Sequence, residues 1–329
     1  MAKIATFFNL PFDALGTDTE TNNRIQDIEG QLSGHTFVHA NGGAENACLR
    51  SIARTFVLNN LDARVFVATC WPTEDALRQW VGNTPSGNMQ SIVVAGLVDD
   101  GNQTYPAPPL VTGLKSFDPN VLPPSWPALL AKVSPGLTKW GIVCDGDATR
   151  VGMAHQVTMI QQSLGASVTP ILIHTEDMTK QSPTNPNFEG DLQSFFQSIG
   201  NNPAGLIVTA GTRSTMLRNI IISAVKTQNN TAGAGKVFAI FPASFPMDNA
   251  DALISYGPNL RTIYKTAAST YVKAILNGGP AQKLDMNTTY ECLLSRTAAR
   301  DVNLNTGNIS PITITVGTTS ITIPVNLVH

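Results

Sequence analysis

The chain has 329 residues and a formal net charge of −2, with 42% apolar and 13% charged residues. This length favours two lobes over a single core, and the apolar content excludes a disordered chain. The nearly neutral charge does not suit a nucleic-acid-binding surface, and no apolar run is long enough to span a bilayer.

The N-terminal part alternates between strand-like and helical patterns. Short apolar runs predict strands at Lys3–Phe8, Thr36–His39, Ala63–Thr69 and Gln90–Leu97. The stretches between them predict helices at Thr19–Leu32, Ala44–Asn59 and Pro72–Val81. Repeated strand–helix units imply a mostly parallel sheet with helices on both faces.

A segment rich in Gly, Asn and Pro, from Asp99 to Pro127, interrupts this rhythm and is interpreted as a connection between lobes. A second series follows it. Strands are predicted at Trp140–Cys144, Ser167–His174, Gly205–Thr209 and Lys236–Phe241. Helices are predicted at Thr149–Leu164, Phe188–Ile199 and Arg213–Gln228.

The C-terminal part combines a helix with a hairpin. Apolar residues at a spacing of three and four predict a helix from Asn259 to Leu276. Gly257 is expected to adopt an unusual backbone angle, and Pro258 to fix the helix start. Alternation from Pro311 to Val325, around Gly317, predicts a hairpin with one face covered.

These patterns predict an α/β protein of two Rossmann-like lobes with parallel sheets, joined by several crossovers, plus a C-terminal β-hairpin. We assign residues 1–113 and 246–282 to lobe 1, and residues 114–245 and 283–329 to lobe 2. A ligand cleft is expected at the carboxyl ends of the strands, where open α/β sheets bind their ligands.

Cysteine and histidine spacing does not indicate a metal centre. No two of the four cysteines form a CxxC pair, and no histidine cluster lies beside them. We therefore predict no metal and no cofactor, and we expect the cysteines to be small buried apolar residues. They are Cys48, Cys70, Cys144 and Cys292.

Catalytic motifs are also missing from the sequence. It contains neither a GxSxG nucleophile elbow nor a GxxxxGK[ST] phosphate loop. No set of residues makes a credible acid, base and nucleophile. We therefore predict a binding protein rather than an enzyme.

Polar residues after two predicted strands are candidate ligand contacts. Arg213, in "AGTRST", begins a helix, where a positive charge is unfavourable unless an anion offsets it. We expect Arg213 and Thr212 to hold an anionic ligand group, with helix capping by Thr212 or Ser214 as the alternative. Asp145, in "CDGDATR", is expected to bind a ligand amine or hydroxyl, and capping of a helix is equally open.

Aromatic and small polar residues complete the predicted site. Trp71, at a strand end, is expected either to stack on a ligand or to pack under a loop. Three other aromatic residues indicate either apolar walls or core packing, namely Phe241, Phe245 and Tyr256. Two residues are expected to add hydrogen bonds, namely Asn9 and Ser244.

The block "LISYGPNLRTIYKTAASTYVKAILNGGPAQKLDM" resembles a C-terminal block of one family of ABC-transporter periplasmic substrate-binding proteins, which includes tryptophan- and tyrosine-type binders. "ECLLSRTAARDVNL", "LVTGL", "SPGLTKWGIVCDGD" and "AGLIVTAGT" are similar to other segments of that family, in the same order. The resemblance implies the two-lobed type I binding fold, closure by hinge motion, and delivery of a small molecule to ABC permease subunits without catalysis. We also expect a monomer.

Three loops that line the cleft in this family depart from its pattern, so the ligand is expected to differ. They read "TCWP", "DDGNQTYPAPP" and "CDGD". We predict a solute-binding protein for an amino acid, an aromatic compound or a small carboxylate. A cytoplasmic ligand sensor of the same fold is the alternative. The location is expected to be periplasmic or cell-envelope if a signal peptide was removed, and cytoplasmic otherwise.

Overall fold

The computed structural model describes residues 1–8, 19–42, 46–81, 90–98, 111–145, 151–176, 185–243, 248–279, 284–307 and 309–329. The chain forms two compact units. Unit 1 comprises Met1–Asp118 and Leu260–Thr288, and unit 2 comprises Pro119–Asn259 and Thr289–His329. No helix in these ranges is both long enough and apolar enough to cross a membrane.

Unit 1 contains a parallel sheet. Its strands are β1 (Lys3–Phe8), β2 (Thr36–Asn41), β3 (Ala63–Ala68), β4 (Ser91–Val98), β5 (Val111–Phe117) and β11 (Leu284–Met286). They pair in the order β11-β5-β4-β3-β1-β2, and every pair is parallel. The helices are α1 (Thr19–Glu29), α2 (Asn46–Leu58), α3 (Trp71–Arg78), α9 (Leu260–Thr266) and α10 (Lys273–Leu276), with a π-helical turn (Ala267–Val272) between the last two.

Both faces of this sheet are covered, which explains the consecutive apolar residues in its inner strands β1, β3 and β4. Ile4 and Val65 point to one face and pack with α1, α9 and the π-helical turn. Phe7 and Phe66 point to the other face and pack with α2 and α3. Successive side chains of a strand alternate between faces, so a strand covered on both sides needs apolar residues at consecutive positions.

A buried carboxylate and two half-exposed cationic side chains join the C-terminal helix of unit 1 to its first helix. Arg261 donates from Nε and Nη2 to the Asp27 carboxylate, at 2.8 and 3.0 Å. Lys265 Nζ lies 3.5 Å from the same carboxylate, whose side chain is only 3% exposed. The predicted helix 259–276 therefore packs on the N-terminal part of the chain, as its apolar face requires.

Unit 2 contains a mostly parallel sheet. Its strands are β6 (Lys139–Cys144), β7 (Ile171–His174), β8 (Ala204–Val208), β9 (Val237–Phe241), β10 (Ile254–Gly257), β12 (Glu291–Ser295) and β15 (Val325–Val328). They pair in the order β15-β12-β10-β9-β8-β6-β7, and only the β10–β12 pair is antiparallel within the described residues. The helices are α4 (Leu122–Val133), α5 (Val151–Leu164), α6 (Phe188–Ile199), α7 (Thr212–Met216), α8 (Arg218–Asn230) and α11 (Arg296–Asp301).

The predicted C-terminal hairpin is confirmed. It consists of β13 (Ile312–Val316) and β14 (Thr319–Ile323), which pair antiparallel. Ile312, Ile314 and Ile323 are buried, and β13 packs against α4. The alternation of the sequence thus reflects one covered face and one face of exposed threonines.

The expected connection from Asp99 to Pro127 contains regular structure in its described part. Strand β5 lies in the sheet of unit 1, and α4 begins at Leu122. The prolines of this segment are one reason why it was predicted to be a connection without regular structure. Pro123 and Pro124 occupy the first turn of α4, where a backbone N–H has no partner within the helix and proline fits.

The unit boundaries also differ from the predicted lobes. Residues 248–259, expected in lobe 1, lie in unit 2, because β10 pairs with β9 and β12. Strand β11, expected in lobe 2, pairs with β5 in unit 1. Both strands are at most four residues long, so their partners, not a sequence pattern, define them.

Gly257 is required for a different reason from the one expected. Its φ is not among the positive values in the structure. A Cβ atom at this position would instead lie 1.8 Å from the carbonyl oxygen of Pro242. Close approach of the two backbones, and not an unusual backbone angle, therefore excludes a side chain at the end of β10.

We predict that Gly257→Ala lowers the free energy of unfolding by about 1–3 kcal/mol, because the backbone must move to admit the methyl group. Gly190→Ala is the matched control. It lies in α6, where an added Cβ meets no heavy atom within 4 Å. It should stabilise the protein by roughly 0.5–1 kcal/mol. Guanidinium denaturation measures both, and equal stability of the two variants would contradict this account.

Candidate functional site

The polar residues of unit 2 gather where its strand order reverses. The chain runs from β6 to β7 on one side and then places β8 on the other side of β6. The carboxyl ends of these parallel strands therefore lie side by side. Open α/β sheets bind ligands at such a switch point, and the segments that follow the three strands form the candidate site.

Asp145, directly after β6, is the centre of this site and is 3% exposed. Its Oδ1 accepts hydrogen bonds from Thr175 Oγ1 at 2.9 Å, Ser214 N at 2.8 Å and Ser214 Oγ at 2.7 Å. Its Oδ2 accepts a hydrogen bond from Arg213 N at 3.0 Å. The carboxylate thus joins the segment after β7 to the segment after β8, and a buried carboxylate needs such partners.

The same carboxylate caps the start of α7. It accepts from the backbone N–H groups of Arg213 and Ser214, which lack partners within the helix. A Cβ atom on Gly211 would lie 2.3 Å from Asp145 Oδ2, so only glycine allows this approach. The sequence left helix capping open for Asp145, and the structure shows this role. The capped helix begins about 70 residues after Asp145 in the sequence.

Arg213 is paired within the unit. Its Nε lies 3.9 Å from Glu176 Oε1, and the two side chains are only 9% and 14% exposed. The charge that was expected to require an anionic ligand is thus offset by Glu176 and by Asp145 at the helix start. Glu176 was not predicted, although it follows β7 by two residues and so shares the strand-end position of Asp145.

Further hydrogen bonds hold the strand ends in place. Gln156 of α5 bonds to both backbone groups of Ala210, at 3.3 and 3.1 Å. Thr209 Oγ1 donates to the carbonyl of Val143 at 2.9 Å. The backbone that leads into α7 is therefore fixed on both sides before any ligand arrives, as a preformed binding site requires.

Cys144 and His174 lie next to the site but do not suit nucleophilic catalysis. Cys144 Sγ is 3.6 Å from His174 Nδ1. Burial, together with the Asp145 charge, raises the pKa of the Cys144 thiol to about 12. The thiol therefore stays protonated at neutral pH, whereas a catalytic cysteine needs a lowered pKa.

Unit 1 has its own switch point, between β1 and β3. Trp71 begins α3 after β3, and the N-cap residue of this helix is Cys70. Thr73 Oγ1 accepts from Cys70 N at 3.1 Å and donates to Cys70 O at 2.8 Å. Asn9, which follows β1, lies outside the described residues.

Phe241 and Tyr256 lie in the core of unit 2. The sequence left apolar walls or core packing open for them, and the structure shows core packing. Phe241 is 1% exposed and packs among the residues between the sheet and α6 and α8. The Tyr256 ring contacts Tyr290, and its backbone carbonyl accepts from Trp126 Nε1 at 2.8 Å. Burial raises the pKa of Tyr256 to about 12.

The other expectations about the site have mixed outcomes. Thr212 begins α7, but its side chain lies outside the described residues, as do Ser244 and Phe245. All four cysteines are free thiols, and Cys144 and Cys292 are buried as expected. Cys48 is exposed and Cys70 is only partly buried, so the expectation is wrong for these two. In the described part of the chain, no three His, Cys, Asp or Glu side chains are placed to hold a metal ion.

We predict that Asp145→Asn destabilises unit 2 by about 1–3 kcal/mol, since an amide cannot accept all the hydrogen bonds of the carboxylate. Asp191→Asn is the control, because this exposed carboxylate accepts one hydrogen bond from Asn185 Nδ2. Asp191→Asn should lower the free energy of unfolding by less than about 1 kcal/mol. Chemical denaturation compares them, and an unchanged midpoint for Asp145→Asn would refute the central role of this carboxylate.

Comparison with protein-family models gave no match, and comparison with curated proteins gave none. Comparison with solved structures did give matches. An ABC domain from Streptococcus pneumoniae in complex with L-Trp is 11% identical, with a TM-score of 0.69 over 93% of this chain and 96% of that one. A substrate-binding protein with adhesive properties from Clostridium difficile, in its ligand-free, open structure, is 15% identical, with a TM-score of 0.62 over 100% of both chains.

A third similar structure is a periplasmic binding protein/LacI transcriptional regulator from Alkaliphilus metalliredigens, complexed with D-xylulofuranose. It is 12% identical, with a TM-score of 0.57 over 89% of this chain and 97% of that one. At these identities the likeness concerns the fold. The chain has the mixed α/β fold of type I periplasmic binding proteins, and the resemblance to ABC substrate-binding proteins is confirmed at that level.

Proposed function

We propose that this protein is a solute-binding protein that captures a small molecule for an ABC uptake transporter. The ligand class is an amino acid, an aromatic compound or a small carboxylate. The observation that carries the proposal is the buried polar centre at the β6–β8 switch point, where Asp145 fixes the backbone that presents Arg213. The fold supports it, because the similar structures include substrate-binding proteins.

In this proposal Arg213 binds a carboxylate or another anionic group of the ligand. Its guanidinium offers a rigid set of donors, and its position in a nearly buried site keeps water from competing. Asp145 does not contact the ligand but orients the segment that does. Further ligand contacts are proposed for Asn9, Trp71, Thr212, Ser244 and Phe245.

The ligand is proposed to contact both lobes and to favour their closure. A ligand shifts a conformational equilibrium only by its difference in affinity for the two states, so contacts to both lobes are needed. No turnover is expected, since the Cys144 thiol is protonated and Asp145 is occupied by internal hydrogen bonds. Permease subunits in the membrane are the proposed partners of a monomer in the periplasm or cell envelope.

A ligand sensor is the second candidate function. One similar structure is named a periplasmic binding protein/LacI transcriptional regulator, complexed with D-xylulofuranose, and this name favours a sensor as the second candidate. Uptake of the ligand by cells that lack this protein distinguishes the two functions. Lost uptake supports transport, whereas normal uptake with altered gene expression supports a sensor.

We predict that at least one compound among amino acids, aromatic acids and small carboxylates stabilises the protein in a thermal-shift screen. A ligand at 100 times its dissociation constant adds about 2.7 kcal/mol to the free energy of unfolding. The melting temperature should rise with ligand concentration. If no compound in the panel shifts it, the proposed ligand class is wrong.

We predict that Arg213→Ala weakens binding of a carboxylate-containing ligand by roughly 1–3 kcal/mol, the usual loss when a buried partner is removed. Arg300→Ala serves as the control, since Arg300 is exposed at the end of α11. Calorimetric titration measures both variants. Wild-type affinity in Arg213→Ala would show that this residue does not contact the ligand.

A further inference from the structure

Among the described residues, charged side chains meet around Arg213 at the switch point of unit 2. Two carboxylates, Asp145 and Glu176, and this guanidinium follow three neighbouring strands. Asp145 is committed to hydrogen bonds with Thr175, Arg213 and Ser214. Within the described residues, the Glu176 carboxylate faces the Arg213 side chain, 3.9 Å from its Nε.

The pair reaches across the end of β6. Glu176 follows β7 and Arg213 follows β8, and these two strands flank β6 on opposite sides. Strands separated by one other strand are about 10 Å apart, so both long side chains must extend toward each other to come this close. The carboxylate of Glu176 therefore lies beside the guanidinium that the proposed ligand carboxylate would contact.

Because the Arg213 and Glu176 side chains are both nearly buried, the short distance between them should affect which ligands can bind. The side chains of Arg213 and Glu176 are 9% and 14% exposed, so bulk water screens them only partly. A ligand that brings only a negative charge to Arg213 would place it beside the Glu176 carboxylate. Like charges in contact disfavour binding strongly, whereas a ligand with a cationic group of its own offers Glu176 a new partner.

We propose that Glu176 is a specificity-determining residue that discriminates against net-anionic ligands. The inference rests on the proposed function, because it concerns the charge of the molecule that Arg213 binds. In the unliganded site Glu176 neutralises Arg213. A ligand carboxylate replaces it there only when the ligand also carries a positive group for Glu176.

The test uses pairs of ligands that differ in one amino group, namely L-tryptophan with indolepropionate, L-phenylalanine with phenylpropionate, and L-alanine with propionate. Calorimetric titration gives the affinity ratio within each pair for the wild type and for Glu176→Gln. We expect the wild type to bind the amino acid of a pair at least about tenfold more tightly than its acid. In Glu176→Gln this ratio should fall about tenfold or more, because the acid gains affinity and the amino acid loses it.

The control variant is Glu189→Gln, an exposed carboxylate in α6 of the same unit, which should keep the wild-type ratio. A purely structural role for Glu176 would weaken both members of a pair equally and leave the ratio unchanged, and that result overturns the proposal. If Glu176→Gln does not fold, the ratio of the wild-type affinities for the two members of a pair tests the proposal instead. A wild type that binds the acid as tightly as the amino acid also overturns it.

These outcomes separate this inference from the proposed function. Binding of both members with an unchanged ratio removes the role of Glu176 and leaves a solute-binding protein. Failure of every pair to bind either variant rejects amino acids and carboxylates as the ligand class, and the role of Glu176 falls with it.

Discussion

The organisation of the candidate site depends on one buried carboxylate. Asp145 directly follows β6, and its oxygens accept hydrogen bonds from the segment after β7 and from the first N–H groups of α7. A carboxylate in this position must be satisfied by hydrogen bonds, and the start of a helix supplies them without a compensating cation. Gly211 is fixed by the same contact, since a side chain there would overlap the carboxylate.

The position of Arg213 follows from that contact. Its backbone N–H is held by Asp145, and its guanidinium lies near Glu176 on the far side of β6. The strand order, which places β8 and β7 on either side of β6, makes this arrangement possible. The site therefore has a backbone held by hydrogen bonds and a nearly buried ion pair, and both features are compatible with the proposed capture of a small molecule.

Local patterns identified the larger elements well. Strand Lys3–Phe8 and helix Phe188–Ile199 have the predicted bounds, because an apolar run and an amphipathic period define them without reference to the rest of the chain. The predicted helix 213–228 is interrupted at Leu217, with neither Gly nor Pro as a signal. Strands β10, β11 and β15 are short, and only pairing with distant residues makes them strands.

The site was predictable only in part, for a related reason. Asp145 and Arg213 stand out because they sit where a strand ends and a helix begins. Their contact, across 68 positions of sequence, requires the strand order, which no local pattern contains. Glu176 carries no motif, and Phe241 looks the same in sequence whether it lines a ligand or fills a core.

The most direct test of the central claim is a crystal structure of the protein with a bound ligand. The account predicts ligand atoms within hydrogen-bonding distance of the Arg213 guanidinium, at the carboxyl ends of β6 and β8, with the Asp145 hydrogen bonds unchanged. A ligand bound elsewhere on the protein, or one that displaces Asp145 from the start of α7, would contradict it.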